Sequence, residues 1–282
     1  MPRSNHARSA RRDWTPRHRP RRAKLHSHRD VLRHAVAVFL FALAAGSATF
    51  AFAETAITAP AFGPPNSRGI PVTMDGFPLS MTGTAFFVSK DGYAITPFHV
   101  AGGCSRRAIL RPEGAYEARA IAMYAPQDIA VLKSDAPHKT AHLAATSGMN
   151  AATQFVIVRY LHLGGIGSRS VLSAKFLGRV RLPPIDFVVR AADKVVGGNS
   201  GSPIVRLDGG VAAMVTAVSR DDPHVTLGIG SDVLSQALQL ASVPFQWQSE
   251  KLPVSAEAGG AAAANEAIGF TFPIACYTAK KS

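Results

Sequence analysis

The sequence predicts an all-β fold, and three observations lead to this prediction. Short runs rich in Val, Ile, Phe and Thr follow one another from residue 83 to residue 230. Turn-forming pairs such as Asp91-Gly92 and Asp208-Gly209 stand between neighbouring runs, where hairpins need them. Only one segment repeats its apolar residues convincingly at helical spacing. Many short strands with hairpin chemistry between them indicate a β-sandwich or a β-barrel.

Each predicted strand is a short apolar run that ends at a turn signal. The runs cover residues 83–89, 93–96, 129–133, 155–160, 170–180, 187–191, 203–207, 211–219 and 225–230. The predicted helix has Ser231 as its N-cap and ends at Val243-Pro244, where proline stops it. Within it, Val233, Leu234, Ala237, Leu238 and Ala241 recur at helical spacing.

The first 53 residues predict a basic leader and an export signal. Residues 1–34 hold eleven of the 31 Lys and Arg residues against two Asp, which leaves a net charge of +4 for the rest of the chain. The uncharged run from Ala35 to Ala53 then ends in a small-x-small pattern typical of signal cleavage. Retention of this run as a membrane anchor remains an alternative. Export predicts a periplasmic or secreted protein.

The segments that flank the folded body differ from it in composition. Residues 54–76 are rich in Ala, Pro and Gly and predict a linker. Residues 246–282 predict a low-complexity tail, in which the apolar run Phe270 to Tyr277 is a candidate strand that docks back onto the body. Because the charge of the body is ordinary, nothing in it predicts nucleic-acid binding.

The most specific motif is Gly197-Gly198-Asn199-Ser200-Gly201-Ser202-Pro203. A serine hydroxyl becomes a nucleophile only beside a base, and it needs N–H donors for the oxyanion that forms on attack. Gly198 allows its own amide and that of Ser200 to point at one spot, and Gly201 is expected to leave room for the substrate carbonyl. The alternative for this motif alone is a hairpin turn.

Two further residues complete a candidate catalytic set. His99 follows the predicted strand 93–96, and histidine is the side chain whose pKa suits a base near neutral pH. Asp128 precedes the predicted strand 129–133. Taken singly, each is more typical of a structural residue, but the order His, Asp, Ser, each beside a strand, favours catalysis.

Four segments resemble the signature segments of trypsin-like peptidases of the bacterial high-temperature-requirement (Deg) kind. They are GTAFFVSKDGYAITPFHVA, QDIAVLK, GNSGSPIVRLDGGVAAMVTAVS and LGIGSDVLSQAL. The resemblance implies a chymotrypsin-like fold of two six-stranded antiparallel β-barrels and one C-terminal helix. The first barrel would span residues 77–145, and the second barrel with the helix residues 146–245. It makes His99 the general base, Asp128 the group that orients it and Ser200 the nucleophile, with the amides of Gly198 and Ser200 as the oxyanion hole.

The sequence departs from that family in several places. Pro97 and Phe98 stand where small residues usually precede the histidine, which leaves the geometry of this loop open. The GNSGSP block also resembles glutamyl endopeptidases, but Val215 stands where those have a histidine. Lys194, Met214, Val215 and Thr216 are the candidates for substrate binding, and Lys194 favours acidic side chains unless it points to solvent. The 37 residues after position 245 are too short for the C-terminal peptide-binding domain of the Deg group.

These observations predict an exported serine endopeptidase that needs no metal and no cofactor. Its partner would be a polypeptide substrate, and its oligomeric state is not predicted. Two alternatives remain: a catalytically silent homologue that binds peptides in its cleft, and a nucleic-acid-binding protein that acts through residues 1–34. Cys104 and Cys276, the only cysteines, are a candidate disulfide, with two buried free thiols as the alternative.

Overall fold

A computed structural model describes residue 66 and residues 69–160, 169–249 and 256–279. The predicted leader, the export signal and most of the linker lie outside the described residues.

The described strands divide into those before residue 134 and those after it. The first group is β1 (Thr73–Met74), β2 (Phe77–Phe87), β3 (Tyr93–Thr96), β4 (Arg106–Arg111), β5 (Gly114–Glu117), β6 (Arg119–Tyr124) and β7 (Ile129–Lys133). The second group is β8 (Gln154–Tyr160), β9 (Arg169–Gly178), β10 (Phe187–Ala191), β11 (Pro203–Arg206), β12 (Val211–Val218), β13 (Val225–Gly230) and β14 (Thr271–Tyr277). The helices are α1 (Phe98–Ala101), α2 (Ser231–Leu240) and α3 (Ala256–Phe270).

Strands β8 to β13 form a closed antiparallel barrel in the order β10-β13-β12-β11-β8-β9. Alternate residues of β9 point inward, as Leu172, Ala174 and Phe176 do, because successive side chains of a strand point to opposite faces. Phe176 meets Phe155 and Phe187 in an aromatic cluster inside the barrel. This barrel lies within the predicted span 146–245.

The other sheet, called the first sheet below, has eight strands, in the order β5-β4-β14-β2-β3-β7-β6, with β1 paired to β2. Its most unexpected member is β14, which lies antiparallel between β2 and β4. Ile274 of β14 pairs with Gly83 on one side and Ile109 on the other, and all seven residues of β14 are buried. The candidate docking strand therefore lies inside the sheet.

The all-β prediction is confirmed, but the strands of the first sheet do not all come from residues 77–145. The sequence also missed β1, β4, β5 and β6. Arg106, Arg107 and Arg111 in β4 and the exposed or half-buried residues of β6 obscure the apolar alternation by which a strand is recognised.

The prediction of one helix is wrong, because α3 occupies the segment predicted as low-complexity. Alanine is the best helix former, and Ala263, Ala267 and Phe270 of α3 are buried at the spacing of one helical face. Alanine is so common in this tail that the face did not stand out. In α2 the N-cap is Gly230, whereas Ser231 begins the helix and donates its hydroxyl to the carbonyl of Ala144.

Candidate active site

His99 lies in α1, which begins two residues after β3. Pro97 is the N-cap, with φ of −63°, a value that the proline ring favours. The ring of Phe98 packs over Gly102, where a Cβ would lie 2.5 Å from ring carbons. Pro97 and Phe98 therefore both fit this loop, and the imidazole of His99 is 44% exposed.

Asp128 contacts His99 through both the ring and the backbone. Its Oδ2 lies 2.8 Å and its Oδ1 3.0 Å from Nδ1, and the backbone N–H of His99 donates to Oδ1 at 2.9 Å. Because both carboxylate oxygens are acceptors, this geometry favours a proton on Nδ1, which leaves the lone pair of Nε2 free to accept one. Asp128 has a left-handed φ of +52° at the end of a 3-10 turn, Ala125–Gln127.

The second barrel also contacts Asp128. The hydroxyl of Thr216, in β12, donates to Oδ2 of Asp128. Burial raises the pKa of Asp128, but hydrogen bonds from the His99 ring, the Thr216 hydroxyl and the His99 backbone outweigh it and hold the pKa below its ordinary value. Asp128 is therefore ionised at neutral pH. The sequence had assigned Thr216 to substrate binding, whereas its hydroxyl contacts the acid of the candidate triad.

Ser200 follows a tight turn at the end of the loop before β11. The backbone N–H of Asn199 donates to the carbonyl of Val196 at 3.2 Å, which closes the turn over Gly197 and Gly198. Gly198 has φ of +92°, the value that the third residue of a type II turn requires. The requirement for glycine at position 198 is thus visible in the backbone.

Strand β2 of the first sheet holds this turn. Thr84 donates its backbone N–H to the carbonyl of Ser200 and its hydroxyl to the carbonyl of Gly198, both at 2.9 Å. A Cβ at Gly83 would lie 2.6 Å from Val100 and 3.2 Å from the carbonyl oxygen of Ser200. The segment Gly83-Thr84 therefore brings the residue after His99 close to the backbone of Ser200, a role that the sequence analysis missed.

Gly201 has a different role from the one expected. Its φ is +95°, and a Cβ there would lie 1.8 Å from the carbonyl oxygen of Thr84 and 2.9 Å from Pro97. Glycine is therefore needed at position 201 because the backbone of the loop packs directly against the first sheet. The sequence had predicted a different reason, namely room for the carbonyl of a substrate.

The structure changes the assignment of the other substrate-binding candidates. Met214 and Val215 are 0% and 1% exposed, and each side chain is packed in a hydrophobic cluster. The backbone of Val215 is already bonded to Ser202 and Gly201. These two residues are therefore unavailable to a substrate. Lys194 is exposed, and its carbonyl accepts a hydrogen bond from Arg159 at 2.6 Å.

Cys104 and Cys276 form a disulfide in the structure, with Cα atoms 5.3 Å apart. Cys104 follows α1, and Cys276 lies in β14, so the bond links the loop after His99 to the C-terminal strand. Among the described residues, no group of three or more His, Cys, Asp or Glu side chains is arranged to hold a metal ion.

Comparison with known proteins identifies the fold and the kind of domain. Residues 83–214 match the family model of the trypsin-like peptidase domain. Residues 83–214, a little under half of the chain, are thus similar to a trypsin-like peptidase domain. This match includes His99, Asp128 and Ser200, the three residues that the sequence singled out.

The curated proteins that this chain resembles include proteases of the Deg/HtrA type. A probable periplasmic serine endoprotease DegP-like of Rhizobium meliloti is 27% identical over 202 residues, which are 66% of this chain and 40% of that protein. Serine protease HTRA1A of Danio rerio is 30% identical over 56% of this chain and 34% of its own length. The chain thus spans less than half the length of these relatives.

Solved structures agree on the fold. The active form of the Rv3671c protease from M. tuberculosis matches with a TM-score of 0.51 and 20% identity, over 60% of this chain and 77% of that one. Its inactive form matches with the same TM-score and 22% identity, over 58% and 86%. The HtrA-type protease AlgW with a decapeptide matches with a TM-score of 0.50 and 19% identity, over 57% and 51%. Because an active and an inactive form match equally well, the likeness describes the fold alone.

Proposed function

We propose that this protein is an exported serine endopeptidase that uses Ser200, His99 and Asp128 as a catalytic triad. The observation that carries the proposal is the double contact of Asp128 with His99, which fixes the ring with Nδ1 toward the carboxylate. This tautomer is the one that a general base for Ser200 requires.

In this mechanism Ser200 Oγ attacks the carbonyl carbon of the peptide bond while His99 Nε2 takes the hydroxyl proton. The negative charge that forms on the carbonyl oxygen is stabilised by the N–H groups of Gly198 and Ser200. His99 then gives the proton to the leaving amine, and an acyl-enzyme remains on Ser200. Water, activated by His99 in the same way, hydrolyses this ester and restores the enzyme. Asp128 stays ionised throughout and stabilises the imidazolium.

A polypeptide substrate would add to the edge of β12. Strand β11 begins at Pro203 opposite Met214, so β12 continues beyond its neighbour from Thr216 to Val218. An extended peptide binds such an edge through main-chain hydrogen bonds. The decapeptide complex of the structurally similar AlgW supports a peptide as the ligand class.

Export is proposed from the basic leader, the uncharged run to Ala53 and the names of the relatives, several of which are called periplasmic. No helix among the described residues is long and apolar enough to cross a membrane. N-terminal sequencing of the protein recovered from the periplasm or the medium tests export and distinguishes cleavage near Ala53 from retention.

The activity is tested by incubating the purified protein with a fluorophosphonate and locating the label by peptide mass spectrometry. The expected result is one label, on Ser200, together with cleavage of an unfolded protein substrate. Ser200→Ala is the control for the label, and Ser202→Ala, two residues away, is the control for site selectivity. An intact protein that binds peptides but takes no label would contradict the proposal and favour the silent homologue.

A further inference from the structure

Arg159 is a charged residue buried inside the second barrel. It is 5% exposed and lies near the end of β8, between Val158 and Tyr160, which are also buried. A buried guanidinium is costly unless its N–H groups are bonded, so its partners explain why it is tolerated. All but one of the residues that accept a hydrogen bond from its guanidinium belong to the loop that precedes Ser200.

The guanidinium of Arg159 donates hydrogen bonds to four residues. Nη1 donates to the carbonyl of Lys194 at 2.6 Å and to Oδ1 of Asn199 at 3.3 Å, and Nη2 donates to the exposed carboxylate of Asp193 at 3.2 Å. Nε donates to the hydroxyl of Ser170 on β9 at 2.8 Å, which fixes the plane of the group. Arg159 therefore ties both ends of the loop 193–199 to the barrel wall.

Asn199 connects this anchor to the turn. Its side chain is fully buried, its Oδ1 also accepts the backbone N–H of Val196 at 2.8 Å, and its Nδ2 donates to the carbonyl of Tyr160 at 3.4 Å. Its backbone N–H closes the same turn from the other side by donating to Val196. Asn199 lies between Gly198 and Ser200, the two residues whose amides form the proposed oxyanion hole.

We infer that Arg159 is a positioning residue that holds the oxyanion loop in its catalytic arrangement through Asn199 and Lys194. The inference rests on the proposed function. Gly197 and Gly198 leave this loop few steric limits, so its conformation depends on such anchors. Without Arg159 the carbonyl of Lys194 loses its donor and Asn199 keeps one partner fewer, and the pair of amides is no longer fixed in advance of the reaction. Arg159 itself touches no reacting atom.

The test compares Arg159→Met with Arg159→Lys, Asp193→Asn and Arg190→Met. Arg190 is the matched control, because it lies on the same barrel and pairs with Asp222 rather than with residues 193–199, and its side chain is 52% exposed. Each variant is titrated to completion with the fluorophosphonate, and kcat and KM are measured per titrated site. This normalisation removes any loss that comes only from misfolded protein.

For Arg159→Met we expect kcat per site to fall by about 10- to 100-fold, which is less than the loss of about 100- to 1,000-fold for removing an oxyanion-hole donor itself, while KM stays within about two-fold. Binding of a peptide boronate, whose oxyanion occupies the hole, should weaken by the same factor as kcat. Arg159→Lys should lie between Arg159→Met and wild type. Asp193→Asn should be close to wild type, because the asparagine keeps an oxygen that can accept the hydrogen bond from Arg159. Arg190→Met should also be close to wild type, because Arg190 pairs with Asp222 rather than with the loop.

Three results would overturn the inference while the proposed function stands: an unchanged kcat per site in Arg159→Met, a change confined to KM, or an equal loss in Arg190→Met. If Arg159→Met yields no folded protein, Arg159→Lys decides, and a wild-type kcat per site in that variant also overturns it. A wild-type protein that takes no label at Ser200 contradicts the proposed function itself.

Discussion

The two β-structures of this protein are built from the chain in different ways. The closed barrel takes its six strands from one continuous stretch, β8 to β13. The other sheet places β14, from the C-terminal part of the chain, between β2 and β4. The closed barrel that supplies Ser200 therefore contains no strand from the C-terminal segment, although α3 packs on its strands β8 and β11. The sheet that supplies His99 and Asp128 has β14 as an inner strand.

This difference shows that the sheet beside His99 depends on residues far away in the sequence. Gly83 and Ile109 lie on opposite sides of β14, and both pair with Ile274. The disulfide links the loop after His99 to the same strand. Pairing between such distant residues is slow, because loop closure precedes any gain from contact. We expect the closed barrel to form first and the His99 half to follow.

The largest effect is expected from ending the chain after Ser249, which removes α3 and β14. The buried edges of β2 and β4 then face solvent as unpaired strands, and these aggregate. We expect insoluble protein with no label on Ser200, measured by soluble yield and fluorophosphonate reaction. Ile274→Asp in full-length protein should act in the same direction, whereas Leu240→Asp, 76% exposed at the end of α2, should not. Soluble, labelled protein ending at Ser249 would contradict the dependence on β14.

The next largest effect falls on the triad itself. Ser200→Ala, in the closed barrel, and His99→Ala, in the other half, should each lower kcat by about a million-fold, and Asp128→Asn by about ten-thousand-fold. The double variant of Ser200 and His99 should be hardly worse than either single one, because the residues act as one unit. Steady-state kinetics with an active-site titration measure this. A few per cent of residual activity in Ser200→Ala would remove the assignment of the nucleophile.

Loss of the disulfide should weaken the fold more modestly. The bond closes a loop of 172 residues, and the chain-entropy relation gives about 5 kcal/mol of unfolding free energy for a loop of that length, less any strain. The paired change Cys104→Ser with Cys276→Ser is measured by denaturant unfolding. Amide hydrogen exchange should show reduced protection chiefly in β2, β4 and β14, with little change in the closed barrel. Two free thiols per molecule in the unreduced, denatured protein would show that the bond does not form.

The smallest effect concerns pH. Since the pKa of Asp128 lies below its ordinary value in the folded protein, its ionised form stabilises the fold at pH above the unfolded value of about 4. This contribution is lost as the pH falls through the lowered folded value. Asp128→Asn should therefore have a lower free energy of unfolding than wild type at neutral pH. This difference in unfolding free energy should narrow below about pH 4. A gap that stays constant from neutral to acid pH would contradict the lowered pKa.

Much of the candidate site was predictable from the sequence. The order of His99, Asp128 and Ser200, the strands beside them and the glycines of the turn are local signals, and the structure places Asp128 against the His99 ring as expected. The roles of Thr216, Thr84 and Arg159 were not predictable. Each role depends on a partner at least 35 residues away in the chain, such as Gly198 for Thr84 and Lys194 for Arg159. The local sequence around a residue does not indicate which distant residue it will contact.

The sequence by itself determined which residues are candidates for the chemistry and which short segments favour extended structure, because nucleophile, base and strand propensity are properties of residues and their neighbours. Only the tertiary structure decided that β14 lies between β2 and β4, that α3 covers the core with Ala263, Ala267 and Phe270, and that Met214 and Val215 are closed to substrate. Burial and strand pairing depend on contacts between residues far apart in the chain, and those contacts exist only once the chain has folded.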